Sequence, residues 1–312
     1  MQAVTIRDEQ LLLQDRPDPI AQAGEVLVRI HAAGVNGADL HQLAGRYPAP
    51  PGSPPDIPGM ELAGEVAACG SGAMRFAVGD RVMGIVGGGG QAQFAVVHER
   101  QLMAVPEGVD LTAAGGFSET FLTAHDALFT QAGLRAGEHL LVHGGAGGVG
   151  TAAIQVARAA GARVTATVRR EEMRAGVAEL GANVIAPEGF GEHGPYDVIL
   201  ELVGAPNLPE NLAALVTGGR ISVIGIGAGA KGELNLGLLM AKRARIYGST
   251  LRARPLEEKA AATRLVERHV LPFLASGELR VLVAETFPLD QAPQAYDRFA
   301  AGGKLGKIIL TA

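Results

Sequence analysis

A run of small residues, His143-Gly144-Gly145-Ala146-Gly147-Gly148-Val149-Gly150, is the strongest chemical signal in the chain. Gly145, Gly147 and Gly150 fill a G-x-G-x-x-G spacing between a strand pattern and a helix pattern. Residues without Cβ permit a tight turn and close backbone approach, and the helix that begins at Gly148 and Val149 offers free N–H groups to a pyrophosphate. Gly accounts for 44 of 312 residues, so the spacing alone is weak and its strand-to-helix context carries the reading. A dinucleotide site that prefers NAD places Asp or Glu about 20 residues further on, where it accepts from the ribose hydroxyl. Val168-Arg169-Arg170 stands there instead. Two guanidinium groups suit a 2′-phosphate through charge-assisted, often bidentate hydrogen bonds. The expected cofactor is therefore NADPH rather than NADH. The competing reading, a solvated helix start, draws on the adjacent Glu171 and Glu172.

Other chemistries are narrowed by counting. Cys69 is the single cysteine, which rules out an intrachain disulfide and any Cys-rich zinc site. His98, His125, His139, His143, His193 and His269 have no ligand-like spacing. Cys69 lacks an adjacent base or cation to activate it as a nucleophile. The net charge of −5, with no basic block of five or more, argues against a nucleic-acid partner. No stretch approaches the roughly eighteen uninterrupted apolar residues of a membrane span. The opening residues, MQAVTIRDEQ, are acidic by position 8 rather than signal-like. A cytoplasmic protein with no membrane partner is expected.

The elements that must position these residues read as two textures. With 312 residues the chain is about twice the ~150-residue prior for one domain. Up to about residue 110, short apolar runs such as 26–30, 62–66, 79–83 and 94–97 are bounded by Gly and Pro, which argues for a β-rich lobe. The proline-rich stretch 47–58 is expected as a stiff loop. From about 119 to 250, strand candidates (139–143, 163–168, 183–186, 197–201, 219–224, 244–249) alternate with helical patterns at 148–160 and 171–180. Such alternation predicts a parallel sheet with helices on both faces. The tail predicts a helix over 256–274, a strand over 280–287, a helix over 291–301 and a strand over 307–310. The two tail strands are expected to rejoin the first lobe.

With the glycine turn placed, the chain resembles the medium-chain dehydrogenase/reductase superfamily, and within it the zinc-free quinone oxidoreductase (zeta-crystallin-like) group. The residues that carry the resemblance run nearly end to end: Val35 to Asp39, Pro58 to Gly64, Gly79 to Val82, Glu119 to Ala124, Gly145 to Gly150, Gly218 to Arg220, Gly248 to Arg252 and Gly306 to Leu310. It implies an α/β architecture, a doubly wound parallel sheet (Rossmann) plus a discontinuous β-rich GroES-like lobe. The GroES-like substrate domain would comprise 1–118 and 255–312, the dinucleotide-binding domain 119–254, and the active site the cleft dividing them. Nicotinamide would enter beside Thr123 and Ile224-Gly225-Ile226, with Leu202 and Val203 near the ribose, and Leu251, Arg252 and Lys307 closing from the other side. A homodimer through an edge strand at 244–249 is also implied.

Zinc-dependent members of that superfamily would carry Cys in place of Asn36, His in place of Met60 and Cys near Glu119, so no metal is expected. His41 sits where some of them have a proton-relay histidine; here a polar loop role is the weightier alternative. Asn36 and Tyr47 are the candidates for hydrogen bonds to a substrate carbonyl, because both donate without ionising. Tyr47 as a loop anchor among prolines is an equal alternative, and Asp39 and Glu61 are expected to hold backbone. The expected activity is zinc-independent, NADPH-dependent reduction of a quinone. Reduction of the C=C bond of an enone or enoyl thioester is the alternative, and a non-catalytic NADPH-binding protein the third reading. The phosphate-binding residues depart from the group, since the usual Gly-Ser pair and following Lys are replaced by Arg169-Arg170 and Met173, and the usual Tyr is missing near Ala186-Pro187.

Overall fold

At the N-terminus, Gln2–Arg7 pairs antiparallel with Gln10–Asp15 through a two-residue turn in which Asp8 and Glu9 both adopt positive φ. That turn matches the right-handed twist of the strands it joins. The computed structural model describes residues 1–312, which divide into two units: Met1–Leu122 with Leu251–Ala312, and Thr123–Thr250. The first break falls four residues beyond position 118, so Glu119 belongs to the first unit.

The first unit is built on a seven-stranded sheet. Val283–Pro288, Lys307–Thr311, Glu25–Val35, Glu61–Cys69, Arg81–Ile85 and Leu102–Ala104 follow one another across it, and Phe94–His98 also pairs with Glu25–Val35. Along Glu25–Val35 the alternation of strand side chains buries Val26, Val28 and Ile30 against Leu62, Val82 and Leu102. Each such side chain contributes about 1.5–3 kcal/mol of transfer free energy. A second core cluster joins Val35, Ile308 and Leu310 to Ala295 and Tyr296 of the helix Ala292–Ala300. Both tail strands rejoin this sheet, with Ile308 opposite Val35. That pairing places Lys307 beside Asn36 although 271 positions separate them.

The second unit holds six parallel strands in the order Asn183–Ile185, Arg163–Thr167, His139–Val142, Tyr196–Glu201, Leu215–Val223, Arg245–Gly248. Their central segments are continuous apolar runs, as a sheet covered on both faces requires. The chain order reverses between His139–Val142 and Tyr196–Glu201, and in doubly wound sheets ligands bind outside the strand ends at that point. Arg245–Gly248 is an edge strand.

Several expected boundaries shift. The expected helix 256–274 is two helices, Leu256–His269 and Leu271–Ala275, broken at Val270. Pro272 has no N–H to extend the first helix and starts the second. The strand expected over 280–287 is Val283–Pro288. The pattern at 171–180 yields a short 3₁₀ turn, Glu171–Met173, and a helix over Arg174–Ala178. No helix is long and apolar enough to cross a membrane.

Candidate functional site

In the second unit, the glycine turn joins the strand His139–Val142 to the helix Gly148–Ala159. Gly145 N–H donates to the Thr167 carbonyl at 3.0 Å, which ties the turn to the neighbouring strand. Gly150 is needed for packing: a Cβ there would meet the Gly144 carbonyl oxygen at 2.3 Å. Gly147 differs, since a Cβ there would meet no heavy atom nearer than 3.5 Å. Gly147 is also the N-cap, and no side chain caps the helix. The first-turn N–H groups of an α-helix have no intrahelical partner. Gly148, Val149 and Gly150 therefore carry bare amides next to the uncrowded Gly147, a cradle that fits a pyrophosphate.

Arg169 and Arg170 lie at the end of the adjacent strand and both are exposed. Arg170 approaches Glu172 at 3.6 Å, a contact too exposed to hold it firmly. A third cation, Arg174, donates through Nε to the Val168 carbonyl at 3.1 Å. It opens the helix Arg174–Ala178, seven residues beyond the strand end at Thr167, and no local pattern marks it.

Leu202 and Val203 are brought together with Ile224, Gly225 and Ile226. Ile224 and Gly225 donate to the Glu201 carbonyl at 2.9 and 3.0 Å, and a Cβ on Gly225 would strike the Leu202 carbonyl oxygen at 2.2 Å. The Glu201 carboxylate is buried and shapes this corner. Its Oε1 accepts from Val203 N–H at 2.6 Å and Gly204 N–H at 2.8 Å, and its Oε2 accepts from Asn207 and Asn211. Asn211 donates to Glu201, so its Oδ1 faces His143 Nε2 at 2.7 Å and Nε2 carries the proton. His143 Nδ1 then accepts from the Thr167 hydroxyl at 3.1 Å. Burial lowers the His143 pKa and keeps the ring neutral. His143, read from sequence as unremarkable, thus links the ends of three strands. Thr123 is buried on the helix Ser118–His125.

A separate set of charges is buried in the first unit. The long strand Glu25–Val35 delivers Asn36 to the start of the helix Gly37–Leu43. Asp39 accepts from Asn36 N–H at 2.8 Å and Gly59 N–H at 3.1 Å, and burial pushes its carboxyl up to about 6. Glu61 Oε1 accepts from Lys307 Nζ at 2.7 Å and from Asn36 Nδ2 at 3.0 Å, while its Oε2 accepts from Glu119 N–H at 2.9 Å. The carboxylate lies across the strand where residue 34 has no side chain, because a Cβ on Gly34 would sit 2.2 Å from Glu61 Oε1. Asp39 and Glu61 hold backbone, as the sequence reading expected.

Three candidates are held by partners within the first unit. Asn36 donates to the Gly34 carbonyl and to Glu61, and its Oδ1 accepts from Lys307, so no amide hydrogen is left for a substrate carbonyl. Lys307 Nζ is engaged by Val35, Asn36 and Glu61. Arg252 donates to Gly87, Tyr47 and Gln42, all within the first unit. Leu251 beside it is buried. These contacts joined positions far apart in sequence, which local pattern does not report.

Tyr47 keeps its candidacy. Its ring lies 5.1 Å from the Arg252 guanidinium carbon, its hydroxyl makes no hydrogen bond within the chain, and burial followed by the Glu119 charge raises its pKa. Glu119 was not a sequence candidate. Its Oε2 is buried without a hydrogen-bond partner, and burial, then the Glu61 charge, pushes its carboxyl up to about 8. The donor set does not suit zinc, which takes thiolate, imidazole or carboxylate. Asn36 and Met60 are poor ligands, and the Lys307 ammonium already bridges Asn36 and Glu61. No group of three or more His, Cys, Asp or Glu is placed to hold a metal.

Residues 22–107 match the family described as alcohol dehydrogenase GroES-like domain, and 148–268 the one described as zinc-binding dehydrogenase. The chain is 33% identical to a quinone oxidoreductase of Rattus norvegicus over 305 residues, 94% of this chain and 90% of the relative. It is 30% identical to an acryloyl-coenzyme A reductase of Metallosphaera sedula over 349 residues, with both chains fully covered. Among solved structures, the quinone oxidoreductase of Thermus thermophilus, also solved in complex with NADPH, superposes with a TM-score of 0.87 at 34% identity over the whole of both chains.

Proposed function

The chain belongs to the medium-chain dehydrogenase/reductase superfamily and is an oxidoreductase, and from that premise we propose that it is a zinc-independent, NADPH-dependent reductase of quinones. The observation that carries this reading is the open cradle at Gly147, together with the exposed Arg169 and Arg170 and the half-buried Arg174 beside it. The amides of Gly148, Val149 and Gly150 would hold the pyrophosphate, and the arginines the 2′-phosphate. Bound there, reduced nicotinamide supplies a hydride. The chain contributes orientation and a water-poor setting for it, with Tyr47 donating a hydrogen bond to the acceptor's carbonyl oxygen. Zinc independence draws on the Asn36, Met60 and Lys307 chemistry, and the quinone class on the relatives' activities. The acryloyl-coenzyme A reductase favours a second reading, reduction of a conjugated C=C bond, which begins with the same hydride delivery.

Steady-state assays with 1,4-benzoquinone, 9,10-phenanthrenequinone, 2-alkenals and crotonyl thioesters rank the acceptors. Quinone turnover with NADPH, undiminished after exhaustive chelation, is the expected result. Turnover of alkenals alone, or loss of activity with the chelator and recovery with zinc, would overturn the reading. Reversing both charges in an Arg169→Glu, Arg170→Glu variant is expected to weaken NADPH by about 10- to 100-fold, since charge-assisted hydrogen bonds contribute about 1.5–3 kcal/mol. NADH should be nearly unaffected, and an unchanged ratio of kcat/KM for the two nucleotides would refute phosphate recognition here.

A further inference from the structure

Glu61 and Glu119 adjoin in the first unit, and their surroundings treat them differently. Lys307 pairs with Glu61 at 2.7 Å, and Glu61 also receives Asn36 Nδ2 and Glu119 N–H. Glu119 has no salt bridge, and its Oε2 is buried with no donor facing it. A buried polar atom left unpartnered in an otherwise satisfied cluster calls for an explanation. Paired carboxyls whose environments diverge are the arrangement that divides charged and acidic roles in enzyme sites. The Glu119 backbone is fixed at the start of the helix Ser118–His125 by its N–H bond to Glu61, so the acid is presented from a rigid element.

We propose that Glu119 is the proton donor of the reductase and delivers its proton to the carbonyl oxygen of the quinone or enone acceptor, an inference that rests on the function proposed above. As the acceptor takes up a hydride, the Glu119 O–H bond breaks and a new O–H bond forms on the acceptor oxygen. A quinone so reduced leaves as its quinol and an enone as its enol. The Glu119 carboxylate then regains a proton from water. Two electrons and one proton enter with the hydride and the second proton comes from Glu119, which balances the reduction. Tyr47, whose raised pKa makes it a poor acid, orients the acceptor instead.

The charged groups acting on Glu119 are Glu61 on the strand Glu61–Cys69, Asp39 on the helix Gly37–Leu43, Lys307 on the C-terminal strand, Arg252, and Lys259 on the helix Leu256–His269. Burial outweighs the cations, so Glu119 stays protonated up to about pH 8. A proton donor is active in its acid form. The kcat of the wild type is therefore expected to be level below about pH 8 and to fall about tenfold per pH unit above it.

The test measures kcat against pH for the wild type and Glu119→Gln at saturating NADPH with a quinone the wild type turns over. Glu119→Gln should lose about 100-fold or more in kcat, the low end of what a general acid contributes, and should lose the alkaline limb, with NADPH binding by fluorescence within about twofold. Thermal unfolding supplies a readout independent of turnover. A carboxyl raised in the folded state stabilises below its unfolded pKa and loses that contribution as pH rises to its folded value. Wild-type stability should thus decline between about pH 6 and 8, beyond the Asp39 window, and Glu119→Gln should lack that part of the decline. Should the amide variant not fold, Glu119→Asp retains an acid and should keep an alkaline limb at reduced kcat. A variant within about threefold of wild-type kcat, or a wild-type profile with no alkaline limb, would overturn the proposal. Absence of wild-type turnover with every quinone and enone would instead remove the function on which it rests.

Discussion

Lys307→Met should destabilise the first unit by about 3–5 kcal/mol, the usual result of removing one partner from a buried ion pair. Glu61 is fully buried and Lys307 nearly so. The ammonium satisfies three acceptors at once: the Val35 carbonyl at 3.1 Å, Asn36 Oδ1 at 2.5 Å and Glu61 Oε1 at 2.7 Å. Without it, a carboxylate remains in the core with only Asn36 Nδ2 and Glu119 N–H as partners. Methionine fills the space but donates nothing. Removing the charge as well, in Lys307→Met with Glu61→Gln, should restore a large part of the loss, and the double-mutant cycle isolates the pair. Urea unfolding of the four proteins measures this. A single-variant loss below about 1 kcal/mol would mean that water reaches the pair and that the exposed-pair magnitude applies.

Gly150→Ala and Gly147→Ala should fail in different ways. The alanine methyl at 150 would lie 2.3 Å from the Gly144 carbonyl oxygen and 2.9 Å from the Gly145 Cα, both backbone, so neither neighbour can rotate aside. The turn or the helix must move, and overpacking of this kind costs about 1–3 kcal/mol or more. At 147 the nearest atom would be 3.5 Å away, an ordinary contact, and the fold should survive unchanged. The same methyl would occupy the space where a diphosphate approaches bare amides. Affinity for NADPH should drop by about 10-fold or more, since each displaced hydrogen bond to a charged group is worth about 1.5–3 kcal/mol. Melting curves and nucleotide titrations of both variants separate the two roles. Full NADPH affinity in Gly147→Ala would place the diphosphate elsewhere.

Much of this molecule is local, and what is local was legible. Strand and helix patterns from 139 to 249 state their own periodicity, and the G-x-G-x-x-G spacing needs only its flanking strand and helix to be read as a phosphate turn. A single cysteine settles by count that no Cys-rich metal site can form. Even the return of the tail to the first sheet followed from two apolar strands without a place in the alternating block. Boundaries were less secure where a proline intervened, as at Val270 before Pro272.

The charged cluster behaves otherwise. Asn36 looked like a free donor because its partners, Glu61 and Lys307, lie 25 and 271 positions away. Lys307 looked available to a cofactor for the same reason. Glu119 stood in a family segment but carried no local mark of acidity, which depends on burial and on the neighbouring Glu61 charge. His143 likewise gained its role when the sheet order set Glu201 and Asn211 against it. Turn geometry and hydrophobic period are properties of neighbouring residues along a chain. Desolvation and Coulomb interactions depend on distance through space, so they exist only once strands remote in sequence have paired.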